Sequence, residues 1–344
     1  MRLLRLALVL LAALAAMVPL PSHLVEAWYS QRLYPEIQTR LTPLSNQAPL
    51  ALLDVTAGLL LVILVAMYLS RVRAAGFLRA SVRMLVTIVT LASVLYLVFL
   101  ALWGLNYRRV PLDEKLAFDE SKVTPAAAFA LGEYAVSQVN AMYATAHGAP
   151  QEGPTLETAF ASAQQALGDA RRAIPGVPKR SLLEWYFRTA AVDGMTDPYY
   201  LEVIINPDAL SFERPFITSH EWAHLAGYAH EAEANFLAWL TCIRGDALAR
   251  YSGWFAIYEQ VAGSLSKADR TALAAKLEAG PRQDLQEASK RYLRSSPVVR
   301  NTTREVYDSY LRANRVNEGI ASYSAVVRLM LGADVLADGS PRLR

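Results

Sequence analysis

The chain has a single cysteine, Cys242, in 344 residues. That excludes an intramolecular disulfide framework and any thiolate-rich zinc or iron–sulfur site. Charge is sparse too. Only 19% of residues are Asp, Glu, Lys or Arg, against roughly 25% in an ordinary soluble protein. A net charge of +3 is too small for a surface that tracks nucleic-acid phosphates, and 53% hydrophobic content is too high for a disordered chain. Lysine is nearly missing: of 34 basic residues only six are lysine. With abundant alanine, that skew points to a GC-rich bacterial source. No internal repeat and no low-complexity linker stands out.

The apolar excess is concentrated at the front, and the mean hydropathy of the whole is +0.20. Three runs stand out, Leu3 to Leu20, Leu50 to Leu69 and Met84 to Trp103. Each is close to the roughly 20 residues that carry a helix across a hydrocarbon core of about 30 Å. The second holds Asp54 near its start and the third holds no formal charge, so all three are expected to span a membrane. Arg2 and Arg5 before the first run also fit a cleavable signal peptide. The sequence VPLPSHLVEAW beyond Met17 offers no clean small-x-small cleavage site, which favours an uncleaved anchor. Between the second and third runs lie Arg71, Arg73, Arg79 and Arg83 with no acid, whereas Glu26, Arg32, Glu36 and Arg40 cancel in the segment before. Short basic loops stay cytoplasmic. The expected topology is therefore a multi-pass protein of the bacterial inner (cytoplasmic) membrane, with residues 1–104 as anchor and 105–344 as an extracytoplasmic domain.

That domain reads as mainly helical. Thr124–Pro125 is a helix start, a capping side chain followed by proline at the first helical position. Helical spacing continues over about 155–172, 181–190, 216–227, 230–247, 249–265, 267–278, 282–294 and 303–331, with breakers at IPGVPK, Gly280–Pro281 and Ser295–Ser296–Pro297. LEVIIN, Leu201 to Asn206, is short, β-branched and bounded by prolines, and is expected as a strand of a small sheet. Its place shortly before the motif described next suits a sheet edge that holds a substrate backbone by strand addition.

Five histidines occur in the chain, and three of them fall in HEWAHLAGYAHEAEANF: His220, His224 and His230. Within this run His220, Glu221 and His224 form HExxH. Histidines four apart project from one helix face, so both imidazoles reach one zinc ion, and the intervening glutamate is placed to take a proton from the attacking water. The rest of the helix is apolar, and buried imidazoles and a buried carboxylate need partners that a metal supplies.

A catalytic zinc needs a third protein ligand, and the spacing leaves three candidates. His230 completes HExxHxxGxxH, the long metzincin signature, with Gly227 turning the chain. The only methionine downstream is Met330, in ordinary helix-core surroundings, and that weighs against a methionine turn. Glu231 shares a helical face with Asn235, giving a carboxylate ligand with an amide one turn later to orient the shell, a gluzincin-like arrangement. Glu233 is the third choice, but it cannot share that face with Glu231.

WGLNY (Trp103–Tyr107), the motif run His220–Phe236, RYSG (Arg250–Gly253) and YLRANRVNEGIASYSAVV (Tyr310–Val327), in that order behind three apolar runs, are similar to a bacterial family called domain of unknown function 3810. The resemblance spans nearly the whole chain. It implies a zincin-like, membrane-anchored metallopeptidase fold with Zn2+ and no established substrate. In that family the position of His230 is not usually histidine while both glutamates of ExEANF recur, which favours Glu231 or Glu233.

An oxyanion donor is also needed. The candidates are Tyr251 and Arg250 in RYSGW, and Arg312 and Tyr323 nearer the C-terminus. Glu318 reads as a salt-bridge partner of Arg315, and Cys242 as a small buried apolar residue. The expected protein hydrolyses peptide bonds at the bilayer, on a peptide or envelope substrate, with no nucleic-acid partner. Two alternatives use the same residues: a zinc-dependent cell-envelope amidase, and a non-catalytic scaffold whose zinc is structural, closed by His220, His224, His230 and Glu231.

Overall fold

All three apolar runs are helical in the computed structural model, which describes residues 2–148, 152–169, 172–316, 325–336 and 339–344. Glu318 and Tyr323 lie outside the described residues. Helix α1 (Arg2–Met17) has 16 residues, about 24 Å at 1.5 Å per residue. The chain then bends by 110° into a helical segment, Ser22–Ser45. That segment consists of α2 (Ser22–Leu24), a π-helical stretch (Val25–Leu33) and α3 (Tyr34–Ser45). Helices α4 (Leu52–Ala75) and α5 (Phe77–Leu102), of 24 and 26 residues, are long and apolar enough to cross a membrane. The arginine segment expected as a loop between them is helical on both sides of Gly76. This residue's φ of +77° makes the break, a conformation that glycine adopts without steric cost.

Further along follow α6 (Leu112–Lys115), α7 (Pro125–Ala146), α8 (Leu156–Ala166), α9 (Glu184–Ala190), α10 (Arg214–Leu225), α11 (Glu231–Cys242), α12 (Ala247–Ser264), α13 (Lys267–Ala275), α14 (Ala279–Leu293), α15 (Pro297–Ala313) and α16 (Ala325–Gly332). The start signals act as expected. Thr124 Oγ1 accepts the Ala127 N–H at 3.1 Å, with Pro125 at the first helical position. Ser296 caps α15 ahead of Pro297, so the helix anticipated from 303 begins earlier and ends at Ala313. Gly280–Pro281 falls inside the first turn of α14 and does not break it, because a proline there removes an N–H that has no intrahelical acceptor anyway.

The sheet has three strands in the order β1 (Pro178–Lys179), β3 (Glu202–Ile205), β2 (Gly194–Asp197), with β1 parallel and β2 antiparallel to β3. The anticipated strand is thus present as β3, but it is central and all four of its residues are buried. It is not the sheet edge expected to hold a substrate. A run buried on both faces reads as continuously apolar wherever it lies in the sheet, so composition carried no information on this point. Among the described residues β1 and β2 are the two outer strands, each paired with β3.

The anchor and the helical domain share one core. Val25, Tyr29, Tyr34, Phe99 and Trp103 belong to the same buried cluster as Leu225, Phe236 and Leu237. Gln38 donates to the Ile174 carbonyl at 2.7 Å and accepts its N–H at 2.9 Å, and Thr42 donates to the Leu201 carbonyl at 2.9 Å. At the start of α4, the buried carboxylate of Glu202 accepts the N–H groups of Leu52 and Leu53 at 3.1 and 3.0 Å and pairs with Lys179 at 2.7 Å. Asp54 accepts from Ser181 Oγ at 2.7 Å and Leu182 N–H at 2.8 Å. This accounts for the one acid in the second apolar run: it ties the helix start to the domain.

Candidate metal centre

Helix α10 ends at Leu225, and Gly227 (φ +85°) turns the chain toward α11. The Gly227 N–H donates to His224 O at 3.0 Å and the Tyr228 N–H to Ala223 O at 3.1 Å, the pattern of a glycine-terminated helix. A Cβ on Gly227 would stand 3.1 Å from Asn106 Oδ1 and 3.2 Å from the Tyr34 ring. Space as well as backbone conformation therefore asks for glycine. The turn delivers Glu231, the first residue of α11, opposite the histidine face of α10.

His220, His224 and Glu231 converge, with one donor atom from each lying within 4.8 Å of the others. The two Nε2 atoms are 3.1 Å apart, His220 Nε2 is 3.1 Å from Glu231 Oε2, and His224 Nε2 is 3.8 Å from Glu231 Oε1. Ligands at 2.0–2.1 Å from a tetrahedral zinc are separated from one another by about 3.4 Å, and these contacts, which engage one or the other oxygen of Glu231, lie on either side of that spacing. His224 Nδ1 lies 2.8 Å from the Tyr228 carbonyl. A carbonyl only accepts, so the proton sits on Nδ1 and the Nε2 lone pair faces the triangle. Glu231 Oε2 is buried and accepts no aligned hydrogen bond. A cation between the three side chains would satisfy it, so the donor set fits zinc.

The electrostatics follow from burial and close pairing. Burial opposes charge on His220, but the Glu231 carboxylate outweighs it, and Glu221 and Asn235 add to the effect, raising this imidazole to about 9. Burial lowers His224 to about 4. It would raise Glu231, yet the two histidines hold that carboxyl down at about 2. Glu221 is raised to about 7 by burial, with His220 opposing. Its Oε2 lies 2.8 Å from Thr196 Oγ1, and a Cβ on Gly194 would stand 2.5 Å from its Oε1. Glu221 thus stands outside the donor triangle and packs against strand β2.

The other anticipated residues are dispersed. Asn235 lies beside His220, consistent with an orienting amide, and its Nδ2 is buried without a partner. His230 precedes α11, with its ring edge-on to Tyr107 at 5.8 Å, and stands outside the triangle. Glu233 accepts the Leu112 N–H at 2.7 Å and so caps α6. Tyr251 does not serve as an oxyanion donor: its hydroxyl hydrogen goes to Asp284 at 2.6 Å, amid Tyr143, Phe212 and Phe255. Arg250 is exposed, and Arg312 pairs with Asp308 at 2.7 Å. Cys242 is buried with its thiol near Ser219, and burial pushes that thiol up to about 12.

Sequence reasoning missed the phenol that does reach the centre. Tyr307, on α15, donates to Glu231 Oε1, and its ring stacks on Tyr310 at 5.8 Å. The available signal was the i, i+3 pair Tyr307 and Tyr310 on one helical face. Thr196 and Gly194 were missed as well, on a strand of only four residues.

A surrounding shell fixes the turn between the two helices. Trp103 Nε1 donates to the His224 carbonyl at 2.8 Å and Tyr34 Oη to the Leu225 carbonyl at 2.7 Å. Arg109 donates to the Gly227 carbonyl at 3.1 Å and binds Glu26 through two contacts of 2.9 Å. A family model described as "Protein of unknown function (DUF3810)" matches residues 29–331. No curated protein and no solved structure matches the chain.

Proposed function

The chain belongs to the DUF3810 family, and from the geometry of its site we propose that it is a membrane-anchored, zinc-dependent peptidase with a gluzincin-like centre. The observation that carries this reading is the pairing of a three-donor triangle with a fourth polar group, Glu221, held out of the triangle by Thr196 and Gly194. His220, His224 and Glu231 are the ligands, and Zn2+ would supply Lewis-acid polarisation of water and of the scissile carbonyl. Glu221 takes a proton from the attacking water as oxygen adds to the carbonyl carbon. It then returns the proton to the departing amine as the C–N bond breaks, leaving a carboxylic acid and an amine, which separate as carboxylate and ammonium once the acid's proton passes to the amine. Asn235 orients His220, and Tyr307, whose hydroxyl hydrogen goes to Glu231 Oε1, fixes the orientation of that ligand carboxylate.

Three donors leave a coordination position open, whereas a structural zinc takes four. With His230 outside the triangle, the structural-zinc reading loses its fourth ligand. The arginines Arg71, Arg73, Arg79 and Arg83 assign the short turn around Gly76 to the cytoplasm. By that rule α4 and α5 cross the inner membrane, α1 enters it from the cytoplasmic side, and the helical domain faces outward. The test is metal analysis of the detergent-solubilised full chain together with hydrolysis of a mixed peptide library. Wild type is expected to hold about one zinc per chain, as a three-ligand site requires. His220→Ala should lose it, and Glu231→Gln should hold it more weakly. Glu221→Gln should keep the zinc and cleave nothing. A Glu221→Gln protein as active as wild type would refute the assignment.

A further inference from the structure

We infer that the bond this centre cleaves lies in the outer headgroup layer, and that its substrate is the juxtamembrane segment of another membrane-anchored polypeptide. The inference rests on the peptidase reading above and adds the substrate class. It starts from how closely the donor triangle is joined to the end of a membrane helix. Trp103 is the C-terminal cap of α5, and its indole donates to the backbone of the ligand His224, the two rings lying 6.1 Å apart. A second path runs through aromatic rings. Phe99, inside α5, meets Tyr310 at 6.3 Å, Tyr310 stacks on Tyr307 at 5.8 Å, and Tyr307 donates to the ligand Glu231. The domain also reaches lower than the end of α5: the Tyr199 hydroxyl lies 3.4 Å from the Leu95 carbonyl, about 10 Å down the helix axis from Leu102.

The headgroup layer is only about 5–8 Å thick on each side of the hydrocarbon core. A ligand ring one ring-contact from the cap of a spanning helix therefore sits within that layer, not on a stalk above it. Large apolar side chains are exposed where the apolar helices join the domain. Trp185 is 62% exposed beside the Ser181–Asp54 junction at the head of α4, with Leu182 and Leu183 exposed next to it. Trp28 is 64% exposed on the outward face of the Ser22–Ser45 segment. Tryptophan at this level is what the membrane–water interface selects. An extended chain rises about 3.3 Å per residue, so a peptide leaving the hydrocarbon reaches this height within about four residues. A peptide bond that close to its own anchor lies at the height of the centre without further chain between them.

The test uses the full chain in lipid vesicles and has two arms. In the first, Cu2+ replaces zinc as a paramagnetic probe, and the vesicles carry a nitroxide either on the lipid headgroup or near the acyl-chain terminus. Faster relaxation of the headgroup label alone, abolished by His220→Ala, is expected. A copper-loaded protein that leaves the headgroup label unchanged would overturn the inference. Failure of wild type to hold metal would overturn the peptidase reading beneath it. In the second arm the zinc-loaded protein meets a mixed-sequence decapeptide library, either free or tied to a lipid through its C-terminus, and mass spectrometry locates the cuts. Cleavage confined to the first residues beside the lipid supports the inference. Equal cleavage of the free library, or cuts spread along the tethered one, overturns the substrate class and leaves the peptidase reading standing. No cleavage of either library overturns the peptidase reading itself.

Discussion

Neutralising Glu26 should destabilise the protein out of proportion to its position outside the metal centre. Its carboxylate takes two 2.9 Å contacts from Arg109 and one of 3.0 Å from Lys115, and Arg109 is almost fully buried, at 4% exposure. Burial alone would raise the Glu26 carboxyl, but the guanidinium and ammonium outweigh it and hold it down at about 2, against 4.5 for a free glutamate. A depression of that size is worth about 3 kcal/mol at 1.36 kcal/mol per unit. Removing one partner of a buried pair costs about 3–5 kcal/mol, so two independent routes give the same magnitude. Because the folded value is depressed, the contribution is fully present above about pH 4.5 and is lost as pH falls toward 2. The assay is chemical denaturation of the full chain in mild detergent, wild type beside Glu26→Gln. The variant should be about 3–5 kcal/mol less stable at pH 7, and the gap should close as pH falls from about 4.5 to 2. Arg109 also holds the Gly227 carbonyl, so zinc should bind more weakly. A Glu26→Gln protein within about 0.5 kcal/mol of wild type at pH 7, the usual effect of an indifferent surface change, would refute the reasoning.

Two further outcomes follow from contacts around the centre. Gly194→Val places a Cβ 2.5 Å from Glu221 Oε1; hydrolysis should collapse while zinc content stays at the wild-type level, and loss of both together would mean that the strand supports the ligands rather than the base. The fragment 105–344, cut at the boundary the sequence suggests, should fold poorly and hold little zinc by metal analysis, whereas the full chain in detergent holds it.

The legible parts of this protein are those whose geometry is local. HExxH fixes His220 and His224 on one helical face whatever surrounds them, and Thr124–Pro125 and Ser296–Pro297 carry their own capping chemistry. The third ligand was not legible. His230, Glu231 and Glu233 lie within four residues, and the turn at Gly227 decides which of them faces α10. Even so, the Glu231–Asn235 spacing already pointed to the residue that the turn delivers. Tyr307 was missed because its partner lies 76 residues away, and its i, i+3 spacing from Tyr310 marks a shared helical face without saying what that face meets. Strand β2, GMTD, has neither the length nor the β-branched content that marks a strand. The Ser22–Ser45 helix was hidden by Pro35 and Pro43, which argue against a helix in any local reading. The π-helical stretch ends at Leu33, two residues before Pro35, and the helical backbone continues through both prolines to Ser45.

The same contacts explain why the anchor and the metal centre form one structure. A helix ends with carbonyls that have no intrahelical donor, and the C-terminus of α10 is buried beside His220, His224 and Glu231. The Leu225 and Gly227 carbonyls receive Tyr34 and Arg109, and His224 O receives Trp103 beside its own turn N–H. Tyr34 comes from the segment between the first two apolar runs, Trp103 from the cap of α5, and Arg109 is neutralised by Glu26 from that same segment. A cut at 104 removes two donors and the counter-ion together and strips Tyr29, Tyr34, Phe99 and Trp103 from the shared core. A buried carbonyl left without a donor costs about 1–3 kcal/mol, and a buried guanidinium without its carboxylate about 3–5 kcal/mol. Those losses approach the roughly 5–15 kcal/mol that holds a whole domain folded. The histidines and Glu231 all survive in the fragment, yet the turn that sets their spacing loses what fixes it, so the metal site is completed by the residues that lead into and out of the membrane.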